Sequence, residues 1–139
     1  MDLYYLFSHI AAGFTGAAMG SFLLITLLYR ALLKQPKNLN NSIYIYRRLY
    51  RLNTVLCLLA GLCAALTNNQ SAAFLLAILS VSYVFNHAHI LKGLTRACNE
   101  HLQIQNMSNY RSLSNLQNLL HLAQFIGSGY AIYLLALNS

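Results

Sequence analysis

The stretch Y-R-S-L-S-N-L-Q-N-L-L-H-L-A-Q-F-I-G-S, from Tyr110 to Ser128, decides how the rest of the chain is read. At helical spacing Tyr110, Ser114, Gln117, His121, Gln124 and Ser128 fall on one narrow stripe, with Asn118 at its margin. Leu116, Leu119, Ala123, Ile126 and Tyr130 fall on the opposite side. In water such a helix turns its polar stripe outward. In a bilayer the apolar side meets acyl chains, and the amides and imidazole turn toward other helices or a wet cavity. The rest of the chain selects the second case.

Of 139 residues, 58% are apolar and 8% charged. Soluble domains carry about 25% charged residues, so this chain lacks the groups to face water. Four apolar segments, residues 3–29, 43–67, 71–91 and 112–137, have the length of spanning helices, which need about 17–25 residues. The second depends on Ile43, Tyr44, Ile45, Tyr46, Leu49 and Tyr50 lying in the interface, with Arg47, Arg48 and Arg51 snorkelling to lipid headgroups. The expected fold is all-α, one domain built as a four-helix transmembrane bundle.

The amino terminus reads as a mature helix. Met1-Asp2-Leu3-Tyr4-Tyr5 has no basic leader, and the apolar run that follows outlasts the core of a signal peptide.

The nine Lys and Arg residues set the expected orientation. Arg30, Lys34, Lys37, Arg47, Arg48 and Arg51 lie between the first two spans, and Lys92, Arg96 and Arg111 between the last two. The turn Asn68-Asn69-Gln70 and both termini have none. By the positive-inside rule both basic loops are cytoplasmic and both termini face the other side of the inner (plasma) membrane. The net charge of +7 sits beside span ends, where anionic lipid rather than nucleic acid is the expected neighbour.

The first span carries two small-residue rows, Ala12-Gly16-Gly20 and Gly13-Ala17-Ser21. Such rows let another backbone approach closely, so Gly13, Gly16 and Gly20 are expected at helix contacts inside the bundle, in a homo-oligomer or with a partner subunit. Asn41 or Ser42 is the expected N-cap of the second helix, whose inner face reads Asn53, Cys57, Ala60, Ala64. On the third, Ser82, Asn86 and His89 share a face, turning His89 inward and His87 toward lipid. Lys92 to Tyr110 reads as a helical extension followed by a loop. His9 is assigned no chemistry. Cys57, Cys63 and Cys98 read as small apolar fillers.

Counted along the spans at about 1.5 Å per residue, Asn53, Asn86, His89, Gln117, Asn118 and His121 reach similar depths in the cytoplasmic half, with Gln124 on the same stripe. This polar cluster admits three readings. His89 and His121 ligate haem or a metal; the cluster binds or passes a small solute, ion or proton; or it joins helices by hydrogen bonds alone. The two acidic residues, Asp2 and Glu100, lie outside the spans, so no intramembrane carboxylate is available as a catalytic base.

The chain resembles the family of small four-span proteins typified by transmembrane protein 205. The resemblance rests on L-L-Y-R-A-L-L-K from Leu27 to Lys34, on Y-I-Y-R-R-L-Y-R-L from Tyr44 to Leu52, and on the head of the last span from Tyr110 to His121. Where that family tends to show aromatic-x-x-Leu-His with later Ser and Asn, Ser114, Gln117 and His121 stand here. The resemblance implies the fold and membrane location, and no reaction. The chain is also similar in size, span number and orientation to the MAPEG group of glutathione-linked membrane enzymes. Those use Arg-x-x-x-Asn-x-x-Glu on the second helix, whereas here Arg48, Arg51 and Asn53 are spaced differently and Leu56 replaces the Glu.

Overall fold

A computed structural model describes residues 3–32, 39–101 and 107–137, with side chains placed over 3–27, 43–96 and 112–137. Every described element is helical: α1 (Leu3–Leu32), α2 (Leu39–Leu66), α3 (Gln70–Phe85), one π-helical turn (Asn86–Ile90), α4 (Leu91–His101) and α5 (Met107–Leu137). Four stretches are long and apolar enough to cross a bilayer: Leu3–Leu27, Ile43–Leu66, Gln70–Arg96 and Ser112–Leu137. The third is a continuous rod of α3, the π turn and the start of α4. Because α2 already begins at Leu39, Asn41 and Ser42 lie inside the helix and neither is its N-cap. The expected loop before Tyr110 falls partly on residues 102–106, outside the described residues.

The tight turn between α2 and α3 follows from two asparagines. Asn68 adopts φ 56°, a left-handed conformation that asparagine tolerates better than most residues. The backbone N–H groups of Asn68 and Asn69 then donate to Ala65 O and Ala64 O at 3.1 and 3.0 Å, which closes the end of α2 in a Schellman pattern. Asn69 caps α3 by accepting from Ala72 N at 3.2 Å, and its Nδ2 donates to Leu134 O at 2.9 Å. Ser8 Oγ donates to Leu135 O at 3.2 Å. These bonds gather the start of α1, the α2–α3 turn and the end of α5 at one end of the bundle. The exposed Arg47, Arg48 and Arg51 lie at the other, with the Arg48 guanidinium 4.9 Å over the Tyr44 ring.

Away from the basic end the core is built of small residues. Ala11, Ala60, Ala64, Ala72 and Ala131 are fully buried with Leu76 and Leu135, so the helices approach closely there. Toward the basic end the fillers become large and polar: Phe22, Tyr50, Tyr83, Asn53, Asn86, Gln124 and His121. Large hydrophobic residues such as Leu62, Phe74, Val81, Leu119 and Ile126 face outward, the inverted arrangement that lipid as solvent requires.

Inside the bundle, the glycines of α1 are not the contact residues. Its packed face is Ser8, Ala11, Thr15, Ala18 and Phe22, while a Cβ built on Gly13, Gly16 or Gly20 meets nothing within 4 Å. The buried row is also small, but it ends in Phe22. That ring packs edge-on to His121 and Tyr83, with centroids 4.5 and 6.4 Å away, and fixes the rotation of α1. Gly13, Gly16 and Gly20 are thereby left off the packed face, although their row-mates Ala12 and Ser21 still meet the core and Asn53.

Candidate functional site

The polar stripe on α5 faces inward. Gln117, His121, Gln124 and Ser128 are buried, while Leu116, Leu119, Leu122 and Ile126 are exposed. Lipid accepts the leucines at no penalty, whereas an unpaired amide or imidazole there costs several kcal/mol by order of magnitude. The helix rotates to hide them.

His121 and Gln117 meet one residue, Tyr50, whose side chain is fully buried. Gln117 Nε2 donates to Tyr50 Oη at 2.8 Å, and Tyr50 Oη lies 2.6 Å from His121 Nε2. The hydroxyl has one proton and accepts from Gln117, so that proton finds an acceptor within the trio only when Nε2 is bare and Tyr50 donates to it. The neutral imidazole therefore carries its proton on Nδ1, an assignment made from the hydrogen-bond count. The ring is held by Phe22 edge-on at 4.5 Å and by Tyr46 stacked at 5.7 Å between centroids.

A second network lies deeper. Asn86 Nδ2 donates to Gln124 Oε1 at 3.3 Å, and Gln124 Nε2 donates to Ser82 Oγ at 2.8 Å. Ser82 Oγ in turn donates to Leu79 O at 2.8 Å, and Ser128 Oγ donates to Gln124 O at 2.8 Å. Between α1 and α2, Ser21 Oγ lies 3.1 Å from Asn53 Oδ1. The Tyr83 ring, 6.4 Å from that of Tyr50 and beside Asn53 and Ser128, stands between these groups. Asn53 Nδ2 and Asn86 Oδ1 are enclosed and have no partner among the described residues.

Asn53, Asn86, Gln117, His121 and Gln124 thus share the interior, divided between the two networks and the Ser21 contact. His89 does not join them. It is exposed and stacks on Phe85 at 5.0 Å, while His87 is half-buried with an enclosed, unpartnered Nε2. The π turn is the reason. At about 100° per residue His89 would fall about 60° from Asn86. The wider turn advances less per residue, so three steps stop further short of the Asn86 face, and Ile90 and Leu91 are buried instead. His89 and His121 consequently present no common ligand point for haem or a metal ion. Among the described residues no group of three or more His, Cys, Asp or Glu side chains is placed to hold a metal. Cys57 is buried and Cys63 half-buried, both as free thiols.

Tyr50 was expected in the interface and is instead the hub of the polar core. Its signal was present: Tyr46, Tyr50, Asn53, Cys57, Ala60 and Ala64 continue one helical face, and all but the half-buried Tyr46 are buried.

Asn118 is exposed, and it shares with His121 a cleft between α1 and α5. This cleft has a volume of about 240 Å³ and is open at the surface of the bundle. Phe22, Leu23, Leu27, Leu122 and Phe125 form its walls. Thr26, Asn118 and His121 are its polar groups, and Thr26 Oγ1 has no hydrogen-bond partner among the described residues.

No protein-family model matches this chain, and neither does any curated protein or any solved structure.

Proposed function

We propose that this multi-pass membrane protein binds a small lipophilic ligand taken laterally from the bilayer into the cleft between α1 and α5, without catalysing a reaction on it. The observation that carries this reading is the cleft itself: apolar walls, an opening at the bundle surface, and polar groups on both sides, Thr26 from α1 and Asn118 and His121 from α5. Passage of an ion through the bundle axis finds less support. The half away from the basic end is packed with Ala11, Ala60, Ala64, Ala72, Leu76 and Leu135, which offer an ion no ligands. A glutathione-linked enzyme finds no support in the residues, since Leu56 stands where the carboxylate would be and neither acidic residue lies within a span.

The setting we propose is the inner (plasma) membrane, with the basic end cytoplasmic and both termini on the far side. The clustering of Arg47, Arg48, Arg51, Lys92 and Arg96 toward one end supports it. A second reading, that the chain is also a subunit of a homo-oligomer or a larger membrane assembly, is favoured by Gly13, Gly16 and Gly20 of α1, where an added Cβ would meet nothing within 4 Å among the described residues.

The test is a filled cleft. Leu122→Trp places bulk at the exposed rim, where the fold has room for it. Binding of a neutral lipophile such as 2-methylnaphthalene to protein in nanodiscs is expected to fall at least ten-fold, with unchanged thermal stability. Undiminished binding removes the cleft as the site.

A further inference from the structure

We infer that the cleft selects a neutral lipophile bearing a carbonyl oxygen, a quinone-shaped head group, and that His121 Nδ1–H is the donor that recognises it. This rests on the cleft being the binding site.

The polarity of the imidazole is set from behind. Gln117 donates to Tyr50 Oη, which lies 2.6 Å from His121 Nε2, and giving the one hydroxyl proton its acceptor leaves the single N–H of the ring on Nδ1. No hydrogen bond joins Nδ1 to the described residues, and His121 is one of the residues that line the cleft. The contrast with His9 is instructive: its Nδ1 is occupied by Tyr5 O at 2.7 Å, one turn back on its own helix. His121 sits in the same kind of helical position without that bond. Its ring is clamped between Phe22 and the Tyr46–Tyr50 pair, so the N–H is preorganised rather than free to swing away.

Three features narrow the ligand. None of the described lining residues is Lys, Arg, Asp or Glu, which favours a neutral molecule over a carboxylate or an amine. The groups available to it include two donors, the His121 N–H and the amide of the exposed Asn118, which suit an acceptor oxygen. The volume of about 240 Å³ lies below the roughly 300–1,000 Å³ of a site that encloses a whole drug-sized molecule. The open mouth therefore suits a ring-sized head group whose tail stays in the lipid, and the Phe22 and Phe125 rings suit a flat one.

The experiment compares menadione with 2-methylnaphthalene, which has the same fused rings and methyl group but no oxygen, on full-length protein in nanodiscs. Menadione is expected to bind about ten-fold more tightly. His121→Leu alone strands Tyr50 and threatens the fold, so the informative variant is Tyr50→Phe with His121→Leu, which removes both partners of the bond. There the ten-fold preference is expected to vanish, and a preference that survives the double change overturns the donor inference. Equal affinity of the wild-type protein for the two probes overturns the donor inference and leaves the cleft reading standing; failure of both to bind overturns the cleft reading as well. Laurate binding more tightly than menadione overturns the assignment to a neutral carbonyl compound. Nitrogen-15 spectra of labelled histidine give an independent readout. A proton on Nε2 of His121 in the unliganded protein overturns the inference, and one on Nδ1 that shifts on adding menadione supports it.

Discussion

Tyr50 Oη and His121 Nε2 lie 2.6 Å apart across the α2–α5 contact, both in buried side chains and 71 residues apart in sequence. Tyr50→Phe leaves both Gln117 and His121 without their partner. Polar side-chain pairs in membranes average about 0.6 kcal/mol, and up to about 1.7, in double-mutant cycles. We expect a loss near the upper end, about 1.5 kcal/mol, because two bonds end on one hydroxyl. Combining Tyr50→Phe with His121→Leu should be less damaging than the sum of the single changes, as read from equilibrium unfolding in mixed micelles.

The positions of Gln124 and His89 predict opposite tolerance. Gln124→Leu removes a side chain that accepts from Asn86 and donates to Ser82, leaving buried groups unpaired, and should destabilise by about 1–3 kcal/mol. His89→Leu alters an exposed ring stacked on Phe85 and should stay within about 0.5 kcal/mol of the parent. Thermal unfolding of the two variants in one detergent checks both.

Two glycines on different helices should respond differently to one methyl group. A Cβ on Gly127 comes to 3.0 Å from Leu79 Cδ2, so Gly127→Ala presses on the α3–α5 contact and should cost about 1 kcal/mol. A Cβ on Gly20 meets nothing within 4 Å, so Gly20→Ala should leave the stability of a single chain unchanged or slightly raised. If copies associate through the outer face of α1, the larger Gly20→Leu should shift the particle mass seen by light scattering with detergent correction.

At the turn, Asn68→Ala forces a side chain with little tolerance for positive φ into φ 56° and should cost about 1 kcal/mol. Asn68→Gly should be neutral or stabilising. Asn69→Ala removes both the α3 cap and the bond to Leu134, and should cost about 1–2 kcal/mol. Comparing the unfolding midpoints of the three variants separates the strain of the turn from its caps.

Much of this was legible in residue order. The apolar spans, the inward stripe of α5 and the Asn53-Cys57-Ala60-Ala64 face all follow from a constant helical period, and that period holds through α2 and α5. Where the period breaks, reading fails: the π turn at Asn86–Ile90 carries no local signature, and it moves His89 to the surface. Tyr50 was misplaced for a different reason. A tyrosine beside arginines has the composition of an interface, and only the α5 stripe opposite gives it a partner in the core. The glycines of α1 show a third limit, because their rows lie beside another small row, Ser8-Ala11-Thr15-Ala18, and it is this one, ending in Phe22, that is packed.

The fastening of the bundle is lopsided. Near Leu134 and Leu135 three helices are tied together by Ser8 and Asn69, whereas around Thr26 and Asn118, toward the opposite end, α1 and α5 stand apart over the cleft. Any widening of that gap turns about the tied end like the arms of tweezers. A few degrees of swing then become ångströms at the mouth, while the alanine packing near the pivot is hardly disturbed.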